Sequence, residues 1–395
     1  MLFNTFVYPF FLAVSVALFW MSPARFRLVS LLAISVVFYG FNGAKFLILV
    51  CLLSMFTYGI GMKLSSIADP VKKKKYLWFG IAVILCVLLF FKYSNLFLST
   101  IQDLIGGDIN FKTIFLPLGI SFFTFEFIHY LVEMYYGRLA KHTMLEFFSF
   151  ALFFPTLASG PIKRFNKFFD STRNAQFFSK KFFITGLFFI LFGYIQKYLV
   201  ADNLVEQTAF LSTPGLAPSG KAILSGLVFY SFRIYFDFAG LSNIAIGSAL
   251  LFGITVPINF SWPYLRKDLA SFWKYWHMSL TSWIRDYIYM PLVFRFRHSR
   301  LVTIFAVVVT MALIGLWHGA SWNFLFFGLY HGVGLAVLQT RIFSLKYYEM
   351  MPKWIRYGIG MAATFIFVTL GWPFFVTASL HDSLLLYQKI FGIFI

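Results

Sequence analysis

The feature that most constrains this chain is a series of long apolar runs that follow one another almost from end to end. Many of them approach the length of about 17–25 residues that an α-helix needs to cross a bilayer. About eleven such runs predict an integral membrane protein with about eleven transmembrane or re-entrant helices. The runs lie at 4–21, 28–42, 45–62, 76–91, 114–136, 144–158, 181–200, 222–254, 302–317, 320–340 and 357–375.

The composition agrees with an all-α membrane fold. Charged residues make up 12% of the 395 residues, whereas an average soluble domain has about 25%. No part of the chain alternates polar and apolar residues over units of about ten, which is the pattern of a membrane β-barrel. We therefore predict one polytopic helical domain over residues 1–395, with no separate soluble domain.

Basic residues indicate the topology. The chain has 33 Lys and Arg against 14 Asp and Glu, and such an excess in a membrane protein is typical of cytoplasmic loops rather than of nucleic-acid binding. We predict an extracytoplasmic N-terminus, no nucleic-acid partner, and a cytoplasmic face that attracts anionic lipids. The basic residues that carry this pattern lie at Arg25, Arg27, Lys63, Lys72 to Lys75, Arg138 and Lys141, in a loop over 163–181, within 262–300, and at Arg341, Lys346, Lys353 and Arg356.

Residues 262–290 lie between apolar runs yet do not read as an ordinary loop. Apolar residues recur there every three or four positions, which predicts an amphipathic helix at the membrane interface or dipping inward. The recurring residues are Leu265, Leu269, Phe272, Trp276, Leu280, Trp283 and Tyr287. Packing alone would explain this stripe, but His277 borders it and is a candidate functional residue.

His318 is the second unusual residue. It belongs to the motif Gly315-Leu316-Trp317-His318-Gly319, where the run 302–317 meets the run 320–340 with almost no polar connection. An ionisable side chain in apolar surroundings is costly and indicates function by default, although packing and pairing roles exist. Both interpretations of His318 stay open on this evidence alone.

Other titratable residues fall inside the apolar runs. Asp237 stands between two phenylalanines, and His331 lies thirteen residues after His318. Glu126, His129 and Glu133 are three and four residues apart and so share one helical face. These groups predict either a polar site inside the membrane or a set of pairs that neutralise one another and hold helices together.

Metal chemistry is not expected. Glu126 and His129 fit the Glu-x-x-His pattern of di-iron bundles, but such a site needs a second copy and two further carboxylates. The sequence contains no second copy and no H-E-x-x-H motif, and none of its seven histidines has another histidine four residues later. We therefore predict no metal site.

An ordered set of motifs resembles the membrane-bound O-acyltransferase family, in the branch of bacterial alginate and peptidoglycan O-acetyltransferases and the D-alanyl transfer protein of teichoic acid modification. The similarity covers residues 116–340. The motifs are Leu116-Pro117-Leu118-Gly119-Ile120-Ser121-Phe122-Phe123, Phe154-Pro155-Thr156-Leu157-Ala158-Ser159-Gly160-Pro161, Tyr235-Phe236-Asp237-Phe238, Phe272-Trp273-Lys274-Tyr275-Trp276-His277, Trp283-Ile284-Arg285-Asp286-Tyr287 and Leu316-Trp317-His318-Gly319.

The resemblance implies a ring of tilted helices around a central tunnel, with a core at 111–340, peripheral N-terminal helices at 1–110 and C-terminal helices at 341–395. It implies His318 as the catalytic histidine and His277 as the second functional position. On this basis we predict that His318 acts as general base on the acceptor hydroxyl and that His277 orients or polarises the thioester carbonyl. Supporting or tunnel positions would be Asp237, Trp276, Trp317, Arg285, Asp286 and Ser159.

The resemblance also implies the reactants. No tightly bound cofactor is expected, and the acyl donor would be a cytoplasmic thioester, either acetyl-CoA or an acyl carrier protein. We predict acetyl transfer toward a cell-envelope polysaccharide at the cytoplasmic (inner) membrane, with an extracytoplasmic acyltransferase partner to complete delivery. D-alanyl transfer toward teichoic acid is the alternative. A polytopic transporter of lipid or envelope polymer is the alternative from another class, since it could use intramembrane His and Asp for proton coupling.

Overall fold

The computed structural model describes residues 5, 7–41, 43–105, 114–157, 160–174, 177–217, 219–295, 299–340 and 351–392. The regular structure of these residues is entirely helical, which confirms the all-α prediction. Short 3-10 and π-helical turns extend or connect several helices. The α-helices are α1 (Val7–Met21), α2 (Arg27–Gly40), α3 (Ala44–Ser66), α4 (Pro70–Ile105), α5 (Ile120–Tyr135), α6 (Met144–Ala151), α7 (Phe154–Leu157), α8 (Phe165–Asn174), α9 (Lys180–Tyr194), α10 (Gly220–Leu251), α11 (Leu269–Tyr275), α12 (Met278–Ile284), α13 (Met290–Arg295), α14 (Arg300–His318), α15 (Trp322–Thr340), α16 (Lys353–Gly371), α17 (Pro373–Val376) and α18 (Leu380–Phe391).

Helix length and composition make the chain a multi-pass membrane protein. Each predicted apolar run overlaps at least one of these helices. The number of crossings, predicted at about eleven, stays a prediction. Within the described residues, six helical segments are long and apolar enough to cross a membrane: Ala44–Ser66, Pro70–Gln102, Lys180–Leu204, Gly220–Leu251, Leu301–His318 and Lys353–Val376.

The chain divides into two compact units. Unit 1 comprises Met1–Tyr194 and Gly240–Ile258. Within it, α9 packs against the last part of α10 through small residues. A Cβ placed on Gly193 would lie 2.6 Å from the carbonyl oxygen of Gly240, so only glycine permits this close helix crossing. The organisation as a single domain stays a prediction.

Unit 1 also contains a buried ion pair. Lys163, which the sequence assigned to a basic loop, is only 2% exposed. Its Nζ donates to both carboxylate oxygens of Glu126 on α5, at 2.7 and 2.8 Å. The two opposite charges are close enough to pair directly, and their attraction offsets part of the cost of removing both from water. Lys163 does lie in the loop before α8, as the sequence predicts, but a partner 37 residues away in sequence withdraws it from solvent.

Unit 2 comprises Ile195–Ala239 and Asn259–Ile395. Its core includes Trp372, which is 1% exposed and donates from Nε1 to the hydroxyl of Ser231 at 3.0 Å. The Tyr264 hydroxyl donates to the Ser231 carbonyl at 2.8 Å. These bonds join α16, α10 and the segment before α11, so they hold the framework on which the candidate site is built.

Candidate functional site

His318 is the last residue of α14, and its position depends on how closely α14 and α15 pack. Gly315 lies so near the Phe324 carbonyl oxygen that any Cβ there would collide with it. Gly328 on α15 stands in the same relation to the Met311 carbonyl of α14. Two glycines thus bring the helix backbones together and fix where α14 ends.

Aromatic rings surround His318, which is half-buried. The ring centroid of Phe375 lies 5.1 Å from that of His318, and the ring of Trp317 lies 4.8 Å away. Trp317 also contacts the imidazole of His277, with 5.3 Å between ring centroids. The structure therefore brings the two predicted catalytic histidines against one indole.

The segment 262–290 differs from the single amphipathic helix that its apolar stripe predicts. Asp268 caps the start of α11 by accepting a hydrogen bond from the backbone N–H of Ser271 at 2.7 Å. The helix then stops at Tyr275, and α12 begins at Met278. His277 breaks the helix because its φ of 45° is left-handed, which costs an L-residue about 1–2 kcal/mol.

His277 is buried, with 1% of its surface exposed. Its ring packs against Phe238 of α10 with 4.7 Å between centroids. Neither ring nitrogen has a hydrogen-bond partner among the residues that the structure describes. His277 lies outside the six candidate spans, and burial, followed by the nearby His318, lowers its pKa well below the usual value of histidine. A neutral imidazole held in a strained backbone is typical of a functional position.

A third histidine joins this region of unit 2. His331 of α15 is fully buried, and its Nδ1 accepts a hydrogen bond from the indole N–H of Trp273 at 3.4 Å. Its Nε2 has no partner within the described residues. Phe327 contacts both His331, at 4.7 Å, and His318, at 6.1 Å between centroids. The ring of Phe327 therefore links His331 to His318.

Asp237, which is among the predicted supporting positions, forms an ion pair. Its carboxylate pairs with Lys197 at 2.6 Å, and the same ammonium pairs with Asp202 at 2.6 Å. The next residue, Phe238, packs against His277. The structure thus links Asp237 to the site through its neighbour in the chain.

The remaining predicted positions fall in three environments. Trp276 is 3% exposed and packs on Trp372, at 5.7 Å between ring centroids. Arg285 and Asp286 are exposed and pair with each other at 2.8 Å. Ser159 lies outside the described residues. Trp276 is therefore a core residue beside His277, and the two charged residues lie at a surface of unit 2.

The polar face of α5 belongs to unit 1 and is fully engaged. Glu126 holds the buried ion pair described above, and His129 Nε2 accepts the backbone N–H of Phe165 at 3.0 Å. Glu133 pairs with Arg138 at 3.5 Å. The contacts of Glu126 and His129 fasten α5 to the segment that enters α8, so they hold this part of the fold together.

The sequence did not single out Asn259, a buried amide that binds the turn after His277. Its backbone carbonyl accepts the N–H of Met278 at 2.8 Å, and its side-chain oxygen accepts the hydroxyl of Ser279 at 2.6 Å. The available signal was a lone asparagine between Ile258 and Phe260, just before the Trp- and His-rich segment. In the described ranges, no three His, Cys, Asp or Glu side chains gather as a metal site would require.

The arrangement suits proton transfer away from water. Imidazole is the most frequent general base in enzymes. Here the indole of Trp317 contacts the imidazoles of both His318 and His277. His318 is half-buried, whereas His277 is buried and its ring nitrogens have no partner among the described residues. Such a site could take a proton from a hydroxyl and hold a carbonyl group in low-dielectric surroundings.

Comparison with known proteins gives a consistent family. Residues 31–381 match the sequence profile of the membrane-bound O-acyltransferase family. A probable alginate O-acetylase of Azotobacter vinelandii is 35% identical over 403 aligned positions, which cover 99% of this chain and 78% of that protein. A peptidoglycan O-acetyltransferase of Helicobacter pylori is 30% identical over 387 positions, covering 91% of this chain and 72% of that protein.

The name of a third relative specifies a different acyl group. The teichoic acid D-alanyltransferase of Streptococcus thermophilus is 34% identical over 233 aligned positions, which cover 56% of this chain and 56% of that protein. The similarity to the two O-acetyltransferases therefore extends over much more of this chain.

Proposed function

Because the chain belongs to the membrane-bound O-acyltransferase family, we propose that it moves an acetyl group from a cytoplasmic thioester donor toward a hydroxyl of an extracytoplasmic cell-envelope polysaccharide. The chain is an enzyme of O-acyl transfer, and the acetyl group, donor and acceptor are the proposed part. One observation carries the proposed site: Trp317 contacts both His318 and His277. That contact puts a candidate base and a candidate carbonyl-binding residue within one cluster.

The choice of acetyl over D-alanyl transfer depends on the extent of similarity. The relatives named as O-acetylases align with nearly the whole chain, whereas the D-alanyltransferase of Streptococcus thermophilus aligns with 56% of it. D-alanyl transfer toward teichoic acid is the second candidate, since the aligned part of that relative is 34% identical. In both reactions a thioester reacts with a hydroxyl, so the roles of the histidines are the same.

The proposed reaction begins with the acceptor hydroxyl. His318 takes the hydroxyl proton as the oxygen attacks the thioester carbonyl carbon, and the carbonyl π electrons move onto oxygen. The tetrahedral intermediate collapses, the C–S bond breaks, and the sulfur leaves with the bonding pair. His318 then returns the proton to sulfur, which gives an ester and a free thiol. The neutral imidazole of His277 is suited to orient the thioester, because its nitrogens have no partner among the described residues.

The other predicted positions support these two residues. Trp317 and Trp276 form apolar walls that keep water from the intermediate. Asp237 steadies the turn of α10 that carries Phe238, the ring packed on His277. Arg285 and Asp286 are exposed and would contact the donor rather than the reacting atoms.

The proposed topology follows from the basic loops. We place the protein in the cytoplasmic membrane with the N-terminus outside. The ring of helices around a tunnel that the donor enters from the cytoplasm is what membership of the family implies. The donor would be acetyl-CoA or an acyl carrier protein, with no tightly bound cofactor. Anionic lipids would surround the basic face, and an extracytoplasmic acyltransferase partner would complete delivery to the polymer.

The direct test removes the gene from its native host. Envelope polymers of the deletion strain and the parent are compared by NMR for acetyl and D-alanyl esters. We expect loss of acetyl esters, restored by the wild-type gene and not by a His318→Ala gene. Loss of D-alanyl esters would select the second candidate, and unchanged esters of both kinds would overturn the proposal.

A second test separates the enzyme from a transporter. Purified protein in vesicles is given acetyl-CoA with and without an acceptor polysaccharide, and free thiol is measured. We expect thiol release that depends on acceptor, because the C–S bond breaks only as the new ester forms. Movement of polymer across the vesicle membrane without thiol release would favour transport.

A further inference from the structure

Asn259 is bound to the turn that carries His277. It is 1% exposed. Its backbone carbonyl accepts the N–H of Met278 at 2.8 Å, and its Oδ1 accepts the hydroxyl of Ser279 at 2.6 Å. Both partners directly follow His277, whose left-handed backbone begins α12. The Asn259 side chain is thus held in one orientation beside a residue of the proposed site.

The nitrogen of the Asn259 carboxamide takes no part in these two hydrogen bonds. Asn259 Nδ2 is buried and has no hydrogen-bond partner in the described part of the chain. An amide nitrogen carries two donors, and a buried donor without a partner costs about 1–3 kcal/mol. The two ring nitrogens of His277 are in the same condition. Within the described part of the chain, three nitrogens without partners therefore belong to two residues joined through the same turn.

Anchoring alone does not explain this nitrogen. Asn259 already fixes the turn through its backbone carbonyl and its Oδ1, and neither bond involves Nδ2. A donor that is buried, oriented and unpaired in the resting protein is what stabilisation of a developing negative charge requires. Its ligand must therefore be an acceptor that arrives with the substrate.

We propose that Asn259 Nδ2 binds the carbonyl oxygen of the acyl thioester and stabilises the oxyanion formed from it. The inference rests on the proposed function. When the acceptor oxygen attacks the carbonyl carbon, the π pair moves to the carbonyl oxygen, and Asn259 donates to that oxygen while His318 holds the proton. As the C–S bond breaks, the oxygen pair re-forms the carbonyl of the ester, sulfur takes the proton, and Asn259 is released. Ser279 is a positioning residue that aims the amide.

The experiment compares Asn259→Ala with Ser279→Ala in protein assayed with acetyl-CoA and acceptor polysaccharide. Asn259→Ala removes the Nδ2 donor together with the Oδ1–Ser279 hydrogen bond, whereas Ser279→Ala removes that hydrogen bond and leaves the donor in place. We expect kcat to fall by about 10²–10³-fold in Asn259→Ala, the size seen for loss of one oxyanion donor. In Ser279→Ala we expect a fall of about tenfold, and KM for acetyl-CoA changes little in both variants. Equal losses in the two variants would overturn the inference.

A second readout does not depend on how much protein folds. Each sample is assayed with acetyl-CoA and with its dithioester analogue, in which sulfur replaces the carbonyl oxygen and accepts hydrogen bonds poorly. The ratio of the two rates should be large in the wild type and about tenfold smaller in Asn259→Ala. An unchanged ratio would assign Asn259 to folding alone.

The proposed function has its own separate failure. If the wild type releases no thiol from acetyl-CoA and adds no ester to envelope polymers in cells, the reaction itself is wrong and Asn259 has no carbonyl to bind. If His318→Ala transfers as fast as the wild type, the base is wrong, and the Asn259 comparison still tests the oxyanion donor. If those controls behave as expected and only the Asn259 comparison fails, the reaction stands without this residue.

Discussion

The buried polar cluster on α5 of unit 1 and the one around His277 in unit 2 differ in how completely their hydrogen bonds are met. In unit 1, Glu126 and Lys163 satisfy each other, and His129 accepts a backbone N–H. In unit 2, Asn259 and His277 keep nitrogens without partners among the described residues. Both groups are almost fully buried, so burial alone does not separate them.

The difference separates structural polar groups from functional ones. A buried network with every partner present stabilises one arrangement of the chain and has no capacity left for a ligand. A buried group with a missing partner destabilises the resting protein and can gain that partner only from something that binds. We therefore expect substitutions in the α5 cluster of unit 1 to affect stability, and substitutions at Asn259 and His277 of unit 2 to affect turnover.

The largest expected effect is on catalysis, at His318. His318→Ala should lower turnover by at least about 10³-fold, within the range for loss of a general base and equivalent to about 4 kcal/mol. Turnover is measured as acceptor-dependent thiol release, and folding as thermal unfolding in detergent. His381→Ala, an exposed histidine of unit 2, is the matched control and should behave as wild type. Equal turnover in the two variants would remove His318 from the reaction.

The next effect is on stability, in unit 1. Lys163→Met leaves the Glu126 carboxylate buried without its partner, and we expect a loss of about 3 kcal/mol or more. Turnover per folded molecule should stay near that of the wild type. Lys167→Met, four residues on and exposed, is the control for loss of charge. If both variants unfold at the same temperature, the ion pair does not stabilise unit 1.

Substitutions at His277 separate the effect on turnover most clearly from the effect on stability. His277→Gly and His277→Ala should both lower turnover by about 10²-fold, because neither retains an imidazole. They should differ in stability, since glycine accepts the left-handed backbone and alanine does not. We expect His277→Gly to be more stable than His277→Ala by about 1 kcal/mol, measured by thermal unfolding. A more stable alanine variant would mean that the backbone at 277 is not strained.

The smallest effect is expected at the exposed pair of unit 2. Arg285→Ala breaks a surface contact with Asp286, and such pairs contribute about 0–1 kcal/mol. We expect stability to change by less than about 0.5 kcal/mol. KM for the donor should rise about threefold if the guanidinium meets the donor phosphates, with kcat unchanged. A fall in kcat as large as that of His277→Gly would move Arg285 into the reacting centre.

The sequence predicts the helical fold well because apolar runs report directly on burial in lipid. It also singles out His318, since an ionisable residue between two apolar runs stands out from its neighbours. No comparable feature of the sequence predicts that the helix is interrupted at His277. The apolar stripe continues through it, and a left-handed histidine is chosen by contacts rather than by local preference.

Partners distant in sequence explain the other differences. Lys163 looks like its basic neighbours until Glu126 is brought against it. Asn259 looks like an ordinary loop residue until Ser279, twenty residues later, fixes its amide. Asp237 was predicted to support the site, and its ion-pair partner Lys197 lies forty residues earlier in the chain. In each case the side chain's role depends on a pairing that one sequence does not encode locally.

Trp317 has a consequence for anyone who wishes to alter the acyl group that this enzyme accepts. Its indole contacts both imidazoles, so a smaller residue at 317 would shift two reactive groups at once. Effects at residues in mutual contact are not additive. Libraries that vary 277 or 318 singly would therefore miss combinations that work only with a matching residue at 317, and productive redesign has to randomise the three positions together.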